Sequence, residues 1–350
     1  MNLIPLLMLS CTAPLCSQAA ANPATPKRTS WDEKKEVEVT CPIDGFKFRA
    51  IELTGTNEWG GIDADYCKHA IKTTPIEFRV WTCPSCFYSG LRTEKRNDFE
   101  AKNAPAKDLV LGKLKPTEKI DKAAKQSQIP VHVKFDLLAQ VALLKGDAPD
   151  QVANAFLWGS WAVRQKGAVY LSDFDEWEEI RTKYGLNKPP LELGKDKNGK
   201  DKNRTDHELG QIERMAKDVK AFKGTTALLT RYTAAYALRL HGENVEALAW
   251  IEELRKSKGD NSIVDDAVER MAKSIELERS FQKRAAEQFQ KAIETGKLES
   301  RAVSQIQYLL GELYRRSGDG KLAHKWFDSA IEGADKDLKA LAEKQKALVK

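Results

Sequence analysis

The apolar residues of this 350-residue chain change their period near Val131, and that change limits the possible folds more than any other feature. Before it, apolar and polar residues alternate. Val37-Glu38-Val39-Thr40, Phe46-Lys47-Phe48-Arg49 and Ile76-Glu77-Phe78-Arg79-Val80-Trp81 therefore read as strands, whose successive side chains point to opposite faces. After it, apolar residues recur at about 3.6-residue spacing, the period of an amphipathic helix. Phe135, Leu137, Leu138, Val141, Ala142 and Leu144 mark one such helix, Gly146-Asp147-Ala148-Pro149-Asp150 breaks it, and Val152 to Val163 begins the next. Trp158 and Trp161 form an aromatic stripe that reads as core packing. The expected class is α+β, mostly α: a small β region followed by a helical array.

Cysteine placement narrows the β region further. Cys11 and Cys16 lie in an apolar leader, whereas Cys41, Cys67, Cys83 and Cys86 are close together and none follows Cys86, which is the distribution of a site or a staple. Each cysteine turn falls at a strand end. Cys83-Pro84-Ser85-Cys86 has the spacing that lets two thiolates share one tetrahedral metal, and Cys41-Pro42-Ile43-Asp44-Gly45 repeats its outline with Asp44 in place of the second cysteine. The pattern is that of a two-knuckle zinc ribbon with one ligand changed. The expected metal ligands are Cys41, Cys67, Cys83 and Cys86 around one structural zinc, with Cys67 slightly favoured and Asp44 as the alternative fourth ligand. Two disulfides, Cys83 with Cys86 and Cys41 with Cys67, are the other use of four cysteines in an oxidising compartment. A redox-active Cys83/Cys86 pair ranks last, because Phe87-Tyr88-Ser89-Gly90 reads as a turn and not as the helix start that depresses a thiol pKa. His69 competes as a ligand only weakly, and Asp63 and Asp65 are expected to bond backbone amides of a Gly-rich loop.

From Val39 to Gly90, the order Cys-Pro-x-x-Gly-x-x-Phe, Gly-x-Asp-x-Asp, then Val-Trp-Thr-Cys-Pro-x-Cys-x-Tyr-Ser-Gly resembles an uncharacterised bacterial family of unknown function. The resemblance implies a cysteine ribbon joined to a tetratricopeptide-like helical half, and it implies no reaction. Two positions depart from that pattern: Asp44 replaces the usual cysteine of the first knuckle, and Phe87 replaces the glycine usual after the second.

Within the helical part, Leu310-Gly311-x-x-Tyr314 followed by Ala323-x-x-x-Phe327-x-x-Ala330 has tetratricopeptide spacing. Ala285, Phe289 and Ala292 stand one 38-residue step back, and Ala247, Ile251 and Leu254 a further step back. Stacked helical pairs commonly bind a peptide on a concave face. Gln305, Tyr308, Glu312, Arg315 and Arg316, opposite the Leu310/Tyr314 face, are the candidate partner-binding residues, for a protein or peptide.

The expected organisation is a signal peptide at 1–21, a linker at 22–36, the cysteine domain at 37–127, a helical hairpin region at 128–193, a mobile loop at 194–204, and repeats with a C-terminal cap at 205–350. The leader carries an apolar stretch, Leu3 to Leu9, then Ala19 to Ala21, with no charged residue before Lys27. It predicts export to a periplasmic or extracellular location, with a lipid anchor at Cys11 as a variant; the apolar run is too short for a transmembrane helix. With 57 basic and 51 acidic residues the net charge is only +6, which opposes nucleic-acid binding as the main task. The functional expectation is an exported, non-catalytic interaction scaffold. The alternatives are a metal-dependent hydrolase using Asp44, Asp63 or Asp65 beside zinc, and a thiol oxidoreductase using Cys83 and Cys86. No nucleophile with a base and no phosphate-cradling loop recommends an enzyme in the helical part.

Overall fold

Two small antiparallel sheets make the strand half. The computed structural model describes residues 34–53, 55, 60–70, 73–93, 96–172, 174–186, 193, 204–257, 259 and 261–349. The expected signal segment with Cys11, the linker up to residue 33 and loop residues 194–203 lie outside those residues. Strand β1 (Lys34–Thr40) starts inside the expected linker and pairs antiparallel with β2 (Lys47–Leu53), Val39 opposite Phe48 and Thr40 opposite Lys47. Val39, Phe48 and Ala50 are buried while Glu38, Lys47 and Arg49 are exposed, as period-two alternation requires. The second sheet has the order β3 (Val80–Thr82), β4 (Ser89–Thr93), β5 (Arg96–Asn97), with Thr82 opposite Ser89. The strand expected from Ile76 begins only at Val80. Pro75 opens a 3-10 turn over Pro75–Phe78, because its fixed φ suits a helical first position and it has no N–H for a ladder.

After the short α1 (Lys107–Val110), the helical hairpin consists of α2 (Val131–Lys145) and α3 (Pro149–Gly167). Gly146, at φ +70, ends α2, and Pro149 opens α3. The expected amphipathic character of α2 is exceeded, since it is buried on two sides. Val133, Leu137 and Val141 pack into the ribbon core with Val39, Phe48, Trp81, Tyr88 and Phe99. Phe135, Leu138, Ala139 and Ala142 join the central helical core with Phe156, Phe281 and Phe289. One helix thus fastens the β half to the α half.

The remaining helices are α4 (Asp175–Lys183), α5 (Arg204–Gly210), α6 (Ile212–Asp218), α7 (Gly224–Leu240), α8 (Asn244–Arg255), α9 (Ser262–Glu294), α10 (Ser300–Ser317), α11 (Gly320–Gly333) and α12 (Lys336–Lys346). Side chains of Asn261, Asp319 and Asp335 cap α9, α11 and α12 by accepting from backbone N–H groups of their first turns. The three 38-spaced sets are buried in α8, α9 and α11. The middle set does not sit in a helical pair, however, because α9 runs unbroken through 33 residues. The reason is local: Gly242-Glu243-Asn244 and Gly318-Asp319-Gly320 turn the chain, whereas the corresponding residues are Ser280-Phe281-Gln282. Gly242 and Gly318 have φ of +71 and +90, which only glycine adopts readily.

Candidate metal centre and a buried ionic network

The β1–β2 and β3–β4 hairpins end in equivalent tips. In the first, Cys41 N–H donates to Phe46 O and Gly45 N–H to Cys41 O, both at 2.9 Å. In the second, Cys83 N–H donates to Tyr88 O at 2.8 Å and Phe87 N–H to Cys83 O at 2.9 Å. Gly45 and Phe87 therefore stand at the same place, and both have positive φ, +76 and +66. Asp44 in the first tip corresponds to Cys86 in the second.

The two hairpins share one core, in which Val39 and Phe48 of the first pack with Trp81 and Tyr88 of the second, and their tips come together. One ligand atom from each of Cys41, Asp44, Cys83 and Cys86 lies within 4.8 Å of the others. The Cys41 and Cys86 sulfurs are 3.5 Å apart, and Cys83 Sγ is 3.7 Å from Asp44 Oδ1. A tetrahedral zinc with Zn–S near ~2.3 Å sets its sulfurs ~3.8 Å apart, so the arrangement fits a metal of that geometry. All four described cysteines are free thiols. Hydrogen bonds from Cys41 and Cys86 push Cys83 down to about 4 against the opposing effect of burial, and the same contact with Cys83 pushes Cys41 up. Burial works against the charge on Asp44, but the Phe46 amide and the Cys41 thiol hold its carboxyl below the usual range. Three sulfurs and one carboxylate at these separations are a donor set that could hold a metal ion.

The sequence favoured Cys67 as the fourth ligand; the structure instead brings Asp44 to the three thiols. Cys67 stands in a separate group with Asp63 and His69, so the expected Cys41–Cys67 pairing is not what the fold brings together. The physical reason is the loop between the sheets. It folds on itself through an Ile62–Lys68 bridge and docks against the helices, not against the knuckles.

Of the two aspartates expected to bond loop amides, Asp65 does so, and the side chains of both reach the helical half. Asp65 accepts from the Arg164 guanidinium at 3.0 and 2.6 Å and from Trp161 Nε1 at 3.1 Å, besides the Cys67 amide at 3.3 Å. Asp63 bonds His69 Nε2 at 2.8 Å, Arg164 at 3.0 Å and His241 Nδ1 at 2.9 Å. His241 Nε2 meets Glu208 at 2.7 Å. Glu278 accepts from Arg164 and Arg239. Burial disfavours the charge on His241, but its bonds to Asp63 and Glu208 prevail and push it up to about 9. Burial likewise opposes Glu208, yet the His241 bond and Arg204 lower it to about 2. The network joins the loop at 60–70 to α3, α5, α7, α9 and α10. Removing one partner of such a buried pair costs ~3–5 kcal/mol, because the other charge is left unpaired.

The candidate partner-binding residues belong to this interior. Tyr308 is fully buried and donates to Ala64 O at 2.7 Å. Glu312 accepts from Arg315 and Arg316, Arg315 also bonds Glu243, and Arg316 lies 3.8 Å from Asp65. Gln305 is half-buried. The face expected to be an open groove is filled by the chain's own loop, since α10 has buried residues on both sides. The sequence carried one signal for this. Glu278 lies at helical spacing between Ile275 and Phe281 on the buried face of α9, a place where a carboxylate needs a partner.

A sequence model for the family described as "Uncharacterized protein conserved in bacteria (DUF2225)" matches residues 34–276 and 202–349 of the chain. Neither a curated protein nor a solved structure matches it. Among the described residues no helix is long and apolar enough to cross a membrane.

Proposed function

The chain belongs to this uncharacterised bacterial family, whose description assigns no reaction, and from that premise we propose that it is an exported, non-catalytic protein-interaction scaffold whose ribbon is locked by one structural zinc. The observation that carries the reading is the convergence of Cys41, Asp44, Cys83 and Cys86 at two hairpin tips. Four protein donors fill a tetrahedral shell, the arrangement of a structural zinc, whereas a hydrolytic zinc keeps a position for water. Zinc fits the three sulfurs better than calcium or magnesium, which take oxygen ligands.

Export is supported by the apolar leader followed by Ala19 to Ala21. The 38-residue spacing of buried positions in α8, α9 and α11 supports a tetratricopeptide-like ancestry for residues 205–350. With the inner face of α10 occupied by the loop, a protein partner meets the outward faces of α11 and α12. These present exposed Lys321, Lys325, Lys336 and Lys339. Crosslinking mature protein in its own envelope extract tests the scaffold reading. A partner whose yield falls when these four lysines are changed to Glu supports it, and a protein that stays unpartnered opposes it.

A further inference from the structure

The loop at 60–70 carries a second set of metal-ligand side chains that the ribbon does not use. Ile62 and Lys68 form an antiparallel bridge, the Asp63 N–H donates to Cys67 O and the His69 N–H to Gly61 O, both at 2.9 Å. Side chains along such a ribbon alternate between faces. Asp63, Cys67 and His69 consequently emerge together, on the face opposite Ile62 and Lys68. A carboxylate oxygen, a sulfur and an imidazole nitrogen from these three residues lie within 4.8 Å of one another, and all three residues are buried.

The helical half supplies an outer ring around this group. His241, at the end of α7, presents Nδ1 to Asp63 Oδ1 at 2.9 Å and is itself held through Nε2 by Glu208 at 2.7 Å. Thr205 Oγ1 stands 3.4 Å from the same Asp63 oxygen. Gln165 Nε2 donates to Cys67 Sγ at 3.3 Å, and Arg164 donates to Asp63 Oδ2 at 3.0 Å. Outer partners of this kind orient first ligands and fix their protonation.

We propose that Asp63, Cys67 and His69 form a second metal site, separate from the ribbon, for a borderline divalent cation of the zinc class. A mixed sulfur, nitrogen and oxygen set suits such an ion, and calcium or magnesium would not choose it. Arg164 is the competing cation at Asp63. It is also bonded to Asp65 and Glu278, which retain it when Asp63 turns to the metal. Because the ligands come from one loop while the outer ring comes from α3, α5 and α7, a bound ion fastens that loop to the helices.

The test uses the full mature chain, stripped of metal under reducing conditions and then equilibrated with buffered Zn²⁺. The expected content is two zincs per chain. His69→Gln keeps a hydrogen-bond donor for Asp63 but is a poor ligand, and it should lower the content by one, as should Cys67→Ser. Cys83→Ser should remove the ribbon's zinc and leave one that responds to His69→Gln. Zinc-edge X-ray absorption of the wild type covers the case in which a variant fails to fold. Two occupied sites give a mean of two sulfurs per zinc with an imidazole contribution. One zinc per chain that is lost in Cys83→Ser and untouched by His69→Gln and Cys67→Ser, or three sulfurs per zinc with no imidazole, would overturn the second site and leave the ribbon standing. A single zinc lost only in His69→Gln or Cys67→Ser would uphold it and remove the ribbon's. A wild-type chain that takes up no zinc would overturn both.

Discussion

The Tyr308 hydroxyl donates to the Ala64 carbonyl at 2.7 Å, joining a helix near the C-terminus to a loop 244 residues earlier. The Tyr66 ring lies 5.6 Å from the Tyr308 ring, so the loop is held by packing as well as by the bond. Tyr308→Phe keeps the packing and removes the bond. It should lower unfolding stability by ~1 kcal/mol, measured by denaturant titration. An unchanged midpoint would mean that the loop does not occupy this face in solution.

Asp44 stands where the second knuckle has Cys86, so changing it tests the ligand set directly. Asp44→Cys completes four thiolates and should retain one zinc in the ribbon more firmly against a chelator than the native protein does. Asp44→Ala leaves three donors, and its ribbon zinc should exchange faster. Equal release rates in all three proteins would exclude Asp44 from the shell.

Gly45 and Phe87 occupy the same left-handed position of the two tips. Nothing lies within 4 Å of a Cβ built on Gly45, so Gly45→Ala meets only the backbone penalty and should cost ~1 kcal/mol. Phe87 accepts that penalty and returns part of it by packing its half-buried ring against the ribbon core. At position 87, glycine should therefore be more stable than alanine by ~1 kcal/mol. Thermal unfolding of Phe87→Gly and Phe87→Ala checks the order, and a more stable alanine variant would show that position 87 is not left-handed.

Glu208 gives the network an acid limit. Its carboxyl is held at about 2 in the folded protein, against ~4.3 unfolded, so its contribution is complete above the unfolded value. That contribution is lost as pH falls from ~4.3 towards about 2. Glu208→Gln should lower stability at neutral pH and flatten its decline below ~4.3. A variant whose stability falls with acid as steeply as the native protein's would place the acid sensitivity elsewhere.

The ribbon was readable because both its strands and its knuckles are local patterns: alternation in Val37 to Thr40, and Cys-Pro-x-Cys spacing in residues 83–86. The choice between Cys67 and Asp44 was not, since sequence order places Cys67 between the knuckles while an Ile62–Lys68 bridge turns it away from them. Helix identity from Val131 was likewise local, but burial on the second side of α2 and α10 depends on what packs there. Glu312, Arg315 and Arg316 look like an outer polar face by period alone. They are interior because Asp65 and Glu243, far apart in sequence, arrive to meet them. Unbroken α9 was open to inference from Ser280-Phe281-Gln282, which lacks the glycine that turns the chain at 242 and 318.

The central claim is the ribbon's metal, and counting zinc and free thiols on one sample of purified protein, prepared without reductant or chelator, tests it most directly. The account predicts that the ribbon's zinc, and only that zinc, is lost in Cys83→Ser, with Cys41, Cys83 and Cys86 of the native protein all recovered as thiols after the metal is removed. Zinc-free protein in which two of these three cysteines are joined in a disulfide would contradict it.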